Sequence, residues 1–91
     1  MTQGEIEQML IKIVCEIQTL SGRESIGVSN ATRPVLDMPG FDSLNGVEAT
    51  VDAIDKLQQD LKFNNVFVED DKALTIQQAA SRLLSCILKE G

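Results

Sequence analysis

Histidine, tryptophan and tyrosine are absent from this sequence. Without histidine the chain lacks the usual general base and the commonest metal ligand. Cysteine is scarce. Cys15 and Cys86 stand far apart with no metal-like spacing. Each falls in a segment that reads as helix, so both are expected to be small, half-buried hydrophobes, not a disulfide or a redox pair. Basic residues are few: 8 Lys and Arg against 14 Asp and Glu, a formal net charge of −6. Nucleic-acid binding needs clustered Lys and Arg, which this balance disfavours. It suits partners with basic surfaces instead. No apolar run approaches the roughly 20 residues that span a bilayer, and acidic residues interrupt the N-terminal apolar positions from Glu5 onward. The expectation is a cytoplasmic protein with no signal peptide, no membrane insertion and no nucleic-acid partner.

What the chain does have is helical periodicity. Its 91 residues make one domain, 1–91, whose stability should be only about 5–10 kcal/mol. Ile6, Met9, Leu10, Ile13, Val14, Ile17 and Leu20 recur at spacings of three and four, predicting a helix over 3–20. Glu5 and Glu7 in its first turn complement the helix dipole, and Ser21-Gly22 is a stop. Residues 22–42 read mostly as loop, broken by Gly22, Gly27, Pro34, Pro39 and Gly40. Ile26, Val28, Val35, Leu36, Met38 and Phe41 punctuate it. Val35, Leu36 and Met38 are expected to pin it to the helices, with room for a short helical turn inside it.

A second helix is predicted from Asp42 or Ser43 to about Asp60, both residues being good caps. Leu44, Val47, Val51, Ile54, Leu57 and Leu61 form its apolar stripe, expected to serve both core and surface. Glu48, Asp52 and Asp55 read as lying together on a different face. Gly46 in the first turn costs about 1 kcal/mol relative to Ala in a helix interior, which calls for a reason such as close approach by another group. Phe63, Val66, Phe67 and Val68 could form a strand-like piece or a short helix; Asn64-Asn65 marks a turn, and a brief helix is predicted near 67–73. Glu69-Asp70-Asp71 lacks the alternating ligands and glycine of a calcium loop and reads as solvated. Thr75 with Gln78 is a capping-box pattern opening a last helix, with Ile76, Ala79, Ala80, Leu83, Leu84, Ile87 and Leu88 as its stripe. Lys89 suits that helix's dipole, and Gly91 follows. The fold expected is all-α: a small three- to four-helix bundle with a long loop between the first and second helices.

The informative stretch is Gly40-Phe41-Asp42-Ser43-Leu44, followed by Val47-Glu48. It resembles the G-x-D-S-L motif of acyl carrier proteins and related carrier domains. The likeness extends to the layout of the whole chain: long first helix, long loop, motif at the start of an acidic second helix, Thr-capped last helix. The resemblance implies a 4′-phosphopantetheine arm attached to Ser43, with Asp42 recognised by the phosphopantetheinyl transferase. It implies that Leu44, Val47, Glu48, Val51, Asp52 and Asp55 meet partner enzymes that transfer or modify acyl groups and carry basic docking surfaces. On this reading the chain is a monomeric carrier and not an enzyme, since nothing near Ser43 in sequence can activate it as a nucleophile. Such a site also suits the chemistry of a helix start, where backbone N–H groups and the dipole favour an anion.

Where carriers commonly hold a larger apolar residue this chain has Ala49, with Ala53 one turn later. These small side chains either draw the helices closer or open a cargo pocket. Alternatives from the residues themselves are a plain helix cap at Ser43, a solvated acidic face at 48, 52 and 55, and an unmodified acidic adaptor module; the resemblance also admits an aminoacyl or peptidyl carrier.

Overall fold

The computed structural model describes residues 1–25 and 27–90, with side chains to residue 88. Ile26, Gly91 and the Lys89 side chain lie outside what is described. Four helices and one strand pair are present among the described residues: α1 (Gln3–Leu20), α2 (Pro34–Asp37), α3 (Ser43–Leu57), β1 (Val68–Glu69), β2 (Lys72–Ala73) and α4 (Ile76–Glu90).

Helix α1 starts at a reciprocal cap. The Thr2 hydroxyl accepts from the Glu5 N–H at 3.2 Å, and the Glu5 carboxylate accepts from the Thr2 N–H at 2.8 Å. The Thr2 backbone N–H first, and the Thr2 side chain second, hold the Glu5 carboxyl below the ordinary glutamate range. Ile6, Leu10, Ile13, Val14 and Ile17 are buried, as their spacing predicts. Leu20, placed in the same stripe, is exposed instead; it is the last residue of α1.

The core lies between α1 and the two helices packed on it, α3 and α4. Helix α4 opens with the predicted box: the Thr75 hydroxyl accepts from the Gln78 N–H at 3.0 Å, and the Gln78 side chain accepts from the Thr75 N–H at 2.9 Å. Two further N–H groups at this end, Ile76 and Gln77, donate to the carbonyls of Thr32 and Asn30 at 2.9 Å each. The start of α4 thereby ties down the long connection. Ile76, Ala79, Ala80 and Leu83 are buried and Leu84 and Ile87 pack on the core, but Leu88 is exposed.

The connection after α1 is held by a buried amide. Gln18 has no exposed surface; its Nε2 donates to the carbonyls of Glu24 at 3.0 Å and Pro39 at 2.8 Å, and its Oε1 accepts from Arg23 Nε at 3.0 Å. The short helical turn allowed for in this loop is α2, with Pro34 at its first position. Met38 is buried and Val35 packs on the core, but Leu36 is 64% exposed and pins nothing.

Residues 67–73, predicted as a brief helix, form a β-hairpin. Val68 pairs with Ala73 and Glu69 with Lys72 in an antiparallel register. The turn residues Asp70 and Asp71 have φ of 52° and 64°. Two consecutive left-handed residues between paired strands make the turn whose twist matches a hairpin. Helix α3 also ends earlier than predicted, at Leu57, where Gln58 takes a left-handed cap with φ 54°.

Candidate functional site

The motif Gly40-Phe41-Asp42-Ser43-Leu44 forms the entry to α3, and each residue has a separable task. Gly40 has φ of +70°, and a Cβ there would sit 2.5 Å from Arg23 Cδ, so both the backbone and its neighbour require glycine. Phe41 is buried and meets Phe67 edge to face, ring centroids 6.5 Å apart. Asp42 is the N-cap: its carboxylate accepts from the Asn45 N–H at 3.0 Å, while Asn45 Oδ1 accepts from the Asp42 N–H at 3.4 Å and from Arg23 Nη2 at 3.0 Å. Capping is therefore done by Asp42, braced through Asn45 by Arg23.

Ser43 is the first helical residue and is exposed. Among the described residues no hydrogen bond engages its hydroxyl; its carbonyl accepts from Asn65 Nδ2 at 3.0 Å. Asn65 also explains Gly46. A Cβ at Gly46 would lie 2.7 Å from the Asn65 carboxamide, so the close approach inferred from the glycine is that of Asn65. The Asn65 Oδ1 accepts from the Phe67 N–H at 3.0 Å. One turn on, the buried Thr50 hydroxyl donates to the Gly46 carbonyl at 2.7 Å and accepts from the Val66 N–H at 2.9 Å. The segment before the hairpin is thus bonded directly to the first turns of α3.

Arg82 of α4 holds the same segment from the other side. Its Nη1 donates to the carbonyls of Val66 at 2.8 Å, Val68 at 3.1 Å and Asn65 at 3.4 Å, its Nε is 3.4 Å from a Glu69 carboxylate oxygen, and its guanidinium lies 4.9 Å over the Phe63 ring. Sequence reasoning missed Gln18, Arg23, Thr50, Asn65 and Arg82. Their only sequence signal is polarity inside or beside apolar stretches, which does not name a partner.

Helix α3 divides cleanly. Gly46, Ala49, Thr50, Ala53 and Leu57 are its buried residues. Leu44 is 76% and Val51 61% exposed, Val47 is half-buried, and Glu48, Asp52 and Asp55 are exposed. Positions 44, 47, 48, 51, 52 and 55 follow the spacing of one helix face. The acidic residues therefore share a face with Leu44, Val47 and Val51, contrary to the separate faces read from sequence, while Ile54 packs on the core and Leu57 and Leu61 are buried in it. The reason is the core side: over most of its length small residues face the core, with Leu57 the one large side chain among its buried residues. Ala49 and Ala53 have no exposed surface and turn away from Ser43's surroundings.

Two clefts flank Ser43, one of about 840 Å³ between α2 and the hairpin, the other of about 780 Å³ between α3 and residues 62–65. Ser43, Val68 and Asp71 line both, so the hairpin is the ridge between them. Among the described residues no helix is long and apolar enough to cross a membrane, and no three Cys, Asp or Glu gather as a metal site. Cys15 and Cys86 are free thiols, each half-buried.

Comparison of the chain with protein-family models, with curated proteins and with solved structures finds no match.

Proposed function

We propose that this protein is an acyl carrier protein, bearing a 4′-phosphopantetheine arm on Ser43 and presenting acyl groups to partner enzymes of fatty-acid, lipid or polyketide-type biosynthesis. The observation that carries this reading is the division of labour at the start of α3. Asp42 caps the helix, so capping does not account for Ser43, whose exposed hydroxyl makes no hydrogen bond among the described residues. The neighbouring groups fit a phosphodiester. Asn45 N–H is taken by the Asp42 carboxylate and Gly46 N–H by the Asp42 carbonyl, which leaves the amides of Ser43 and Leu44 facing outward at the positive end of the helix.

The arm, when attached, supplies a thiol that holds acyl groups as thioesters. In the attachment step Ser43 Oγ bonds to the phosphorus of the pantetheine phosphate of coenzyme A. The pyrophosphate P–O bond breaks, adenosine 3′,5′-bisphosphate leaves, and the hydroxyl proton passes to a base of the transferase. The exposed face of α3 suits partner recognition: Leu44 and Val51 offer apolar contact, and Glu48, Asp52 and Asp55 offer charge to Lys and Arg. Ala49 and Ala53 act by allowing close packing, and cargo room beneath Ser43 would require α3 to move away from α1.

The test is mass spectrometry of the chain after incubation with coenzyme A, magnesium and a broad-range phosphopantetheinyl transferase. One added arm, lost in Ser43→Ala, is the expected result. An unmodified chain across several transferases sinks the carrier and leaves the second reading, an acidic adaptor module. That reading draws on the same exposed Leu44 and Val51.

A further inference from the structure

We propose that in the free, loaded protein the arm lies in the cleft between α2 and the hairpin, with its phosphodiester drawn to Arg33 and Lys72, and not in the cleft beside Phe63. This rests on the carrier reading of Ser43.

Either cleft is open to a group attached at Ser43, because Ser43 lines both. Charge separates them. The α2 cleft contains Arg33, Lys72 and Asp71. Neither the Arg33 guanidinium nor the Lys72 ammonium makes an ion pair or side-chain hydrogen bond among the described residues; Arg33 is bonded through its backbone N–H, to Asp37. Two available cations line that cleft with one carboxylate, Asp71, while the Asp37 carboxylate sits beside Arg33 on its backbone N–H. The Phe63 cleft contains Lys62, Arg82, Asp70 and Asp71, but its Arg82 is committed to three carbonyls and to Glu69. One available cation faces two carboxylates on that side. A phosphodiester carries one negative charge, so the α2 side suits it better than the Phe63 side.

The walls agree with the charges. Leu36 is a large apolar side chain left 64% exposed on a four-residue helix, and it lines the α2 cleft with Val35, Val68 and Leu74. These apolar surfaces suit the methylene and dimethyl segments of pantetheine, and the Thr75 and Gln78 positions offer polar contacts to its amides. The Phe63 cleft, by contrast, is bounded by Leu44 and Val47, which belong to the outward face of α3. An arm resting on the α2 side leaves that face clear for a partner.

The experiment compares amide and methyl NMR spectra of the full chain before and after loading with coenzyme A by a phosphopantetheinyl transferase, loading being read first by mass. The expected result is shift changes at Arg33, Leu36, Lys72 and Leu74, with Val47, Phe63 and Asn64 unmoved. In an R33E/K72E variant loaded to the same mass, the changes at Leu36 and Leu74 should collapse toward the unloaded positions. Changes centred on Phe63 and Val47, or confined to Ser43 and its sequence neighbours, overturn the placement while leaving the carrier reading intact. Absence of any mass gain overturns both.

Discussion

Thr50 shows how much one hydroxyl does in this molecule. It is fully buried, gives its proton to the Gly46 carbonyl and receives that of the Val66 N–H. Replacing it by valine keeps the shape and the β-branch but leaves a buried amide without a partner. An unsatisfied buried donor costs about 1–3 kcal/mol. Thr50→Val is therefore expected to lower stability by about 2 kcal/mol, seen as a fall in the urea midpoint with an unchanged slope. An unmoved midpoint would mean that Val66 finds water instead. The residues of the site were unequally legible. Gly40, Asp42 and Ser43 announce themselves because the motif requires a left-handed backbone, a cap and a hydroxyl in that order. Gly46 was legible as an anomaly in a helix. Its explanation, Asn65, was not, because a contact across 19 positions leaves no local pattern.

At the scale of elements, α1 and α4 were readable because each buries one stripe of large apolar residues and each starts at a box of two side chains. Helix α3 was readable in part: its apolar stripe divides between core and surface as expected, Leu57 and Leu61 going inward, but the first three turns of its core side are built from Gly46, Ala49, Thr50 and Ala53. Hydrophobic periodicity weights large side chains, and in these turns the large ones, Leu44 and Val51, are exposed to solvent. The hairpin misled for a different reason. Its turn is Asp70-Asp71 where glycine or asparagine is the usual signal. Both aspartates hold positive φ, a region that costs a residue with a Cβ about 1 kcal/mol or more. Asp71→Gly should thus stabilise the protein by about 0.5 kcal/mol. Asp71→Ala should destabilise it by about 1 kcal/mol, since alanine lacks the local hydrogen bonding that lets aspartate tolerate this region. Thermal unfolding of the pair reads the sign of each change; a stabilising alanine would show that the turn relaxes to another geometry. Arg82 matters at this scale too, since its three carbonyl bonds fix the hairpin's approach to Ser43.

For the molecule as a whole, the net charge of −6 and the outward face of α3 act together. On the proposed carrier reading, the net negative charge would steer a basic partner from a distance, while Leu44 and Val51 would contribute only on contact. The two effects separate by salt. Screening reduces charge steering as the Debye length shrinks from about 10 Å at 0.1 M to about 3 Å at 1 M, and leaves apolar burial in place. Reversing Glu48, Asp52 and Asp55 together to lysine changes the formal charge by six, from −6 to 0, all on one face. The rate of arm attachment by a phosphopantetheinyl transferase, taken as kcat/KM, should fall about tenfold or more at low ionic strength. The deficit should shrink steadily as salt is added. Leu44→Ala should also slow attachment, but by a factor that salt does not erase, because the lost contact is apolar. If the triple reversal were as slow in 1 M salt as in dilute buffer, the acidic residues would be acting by shape or by helix stability and not by charge. If it had no effect at any salt, the face on which α3 displays them would not be where the transferase docks.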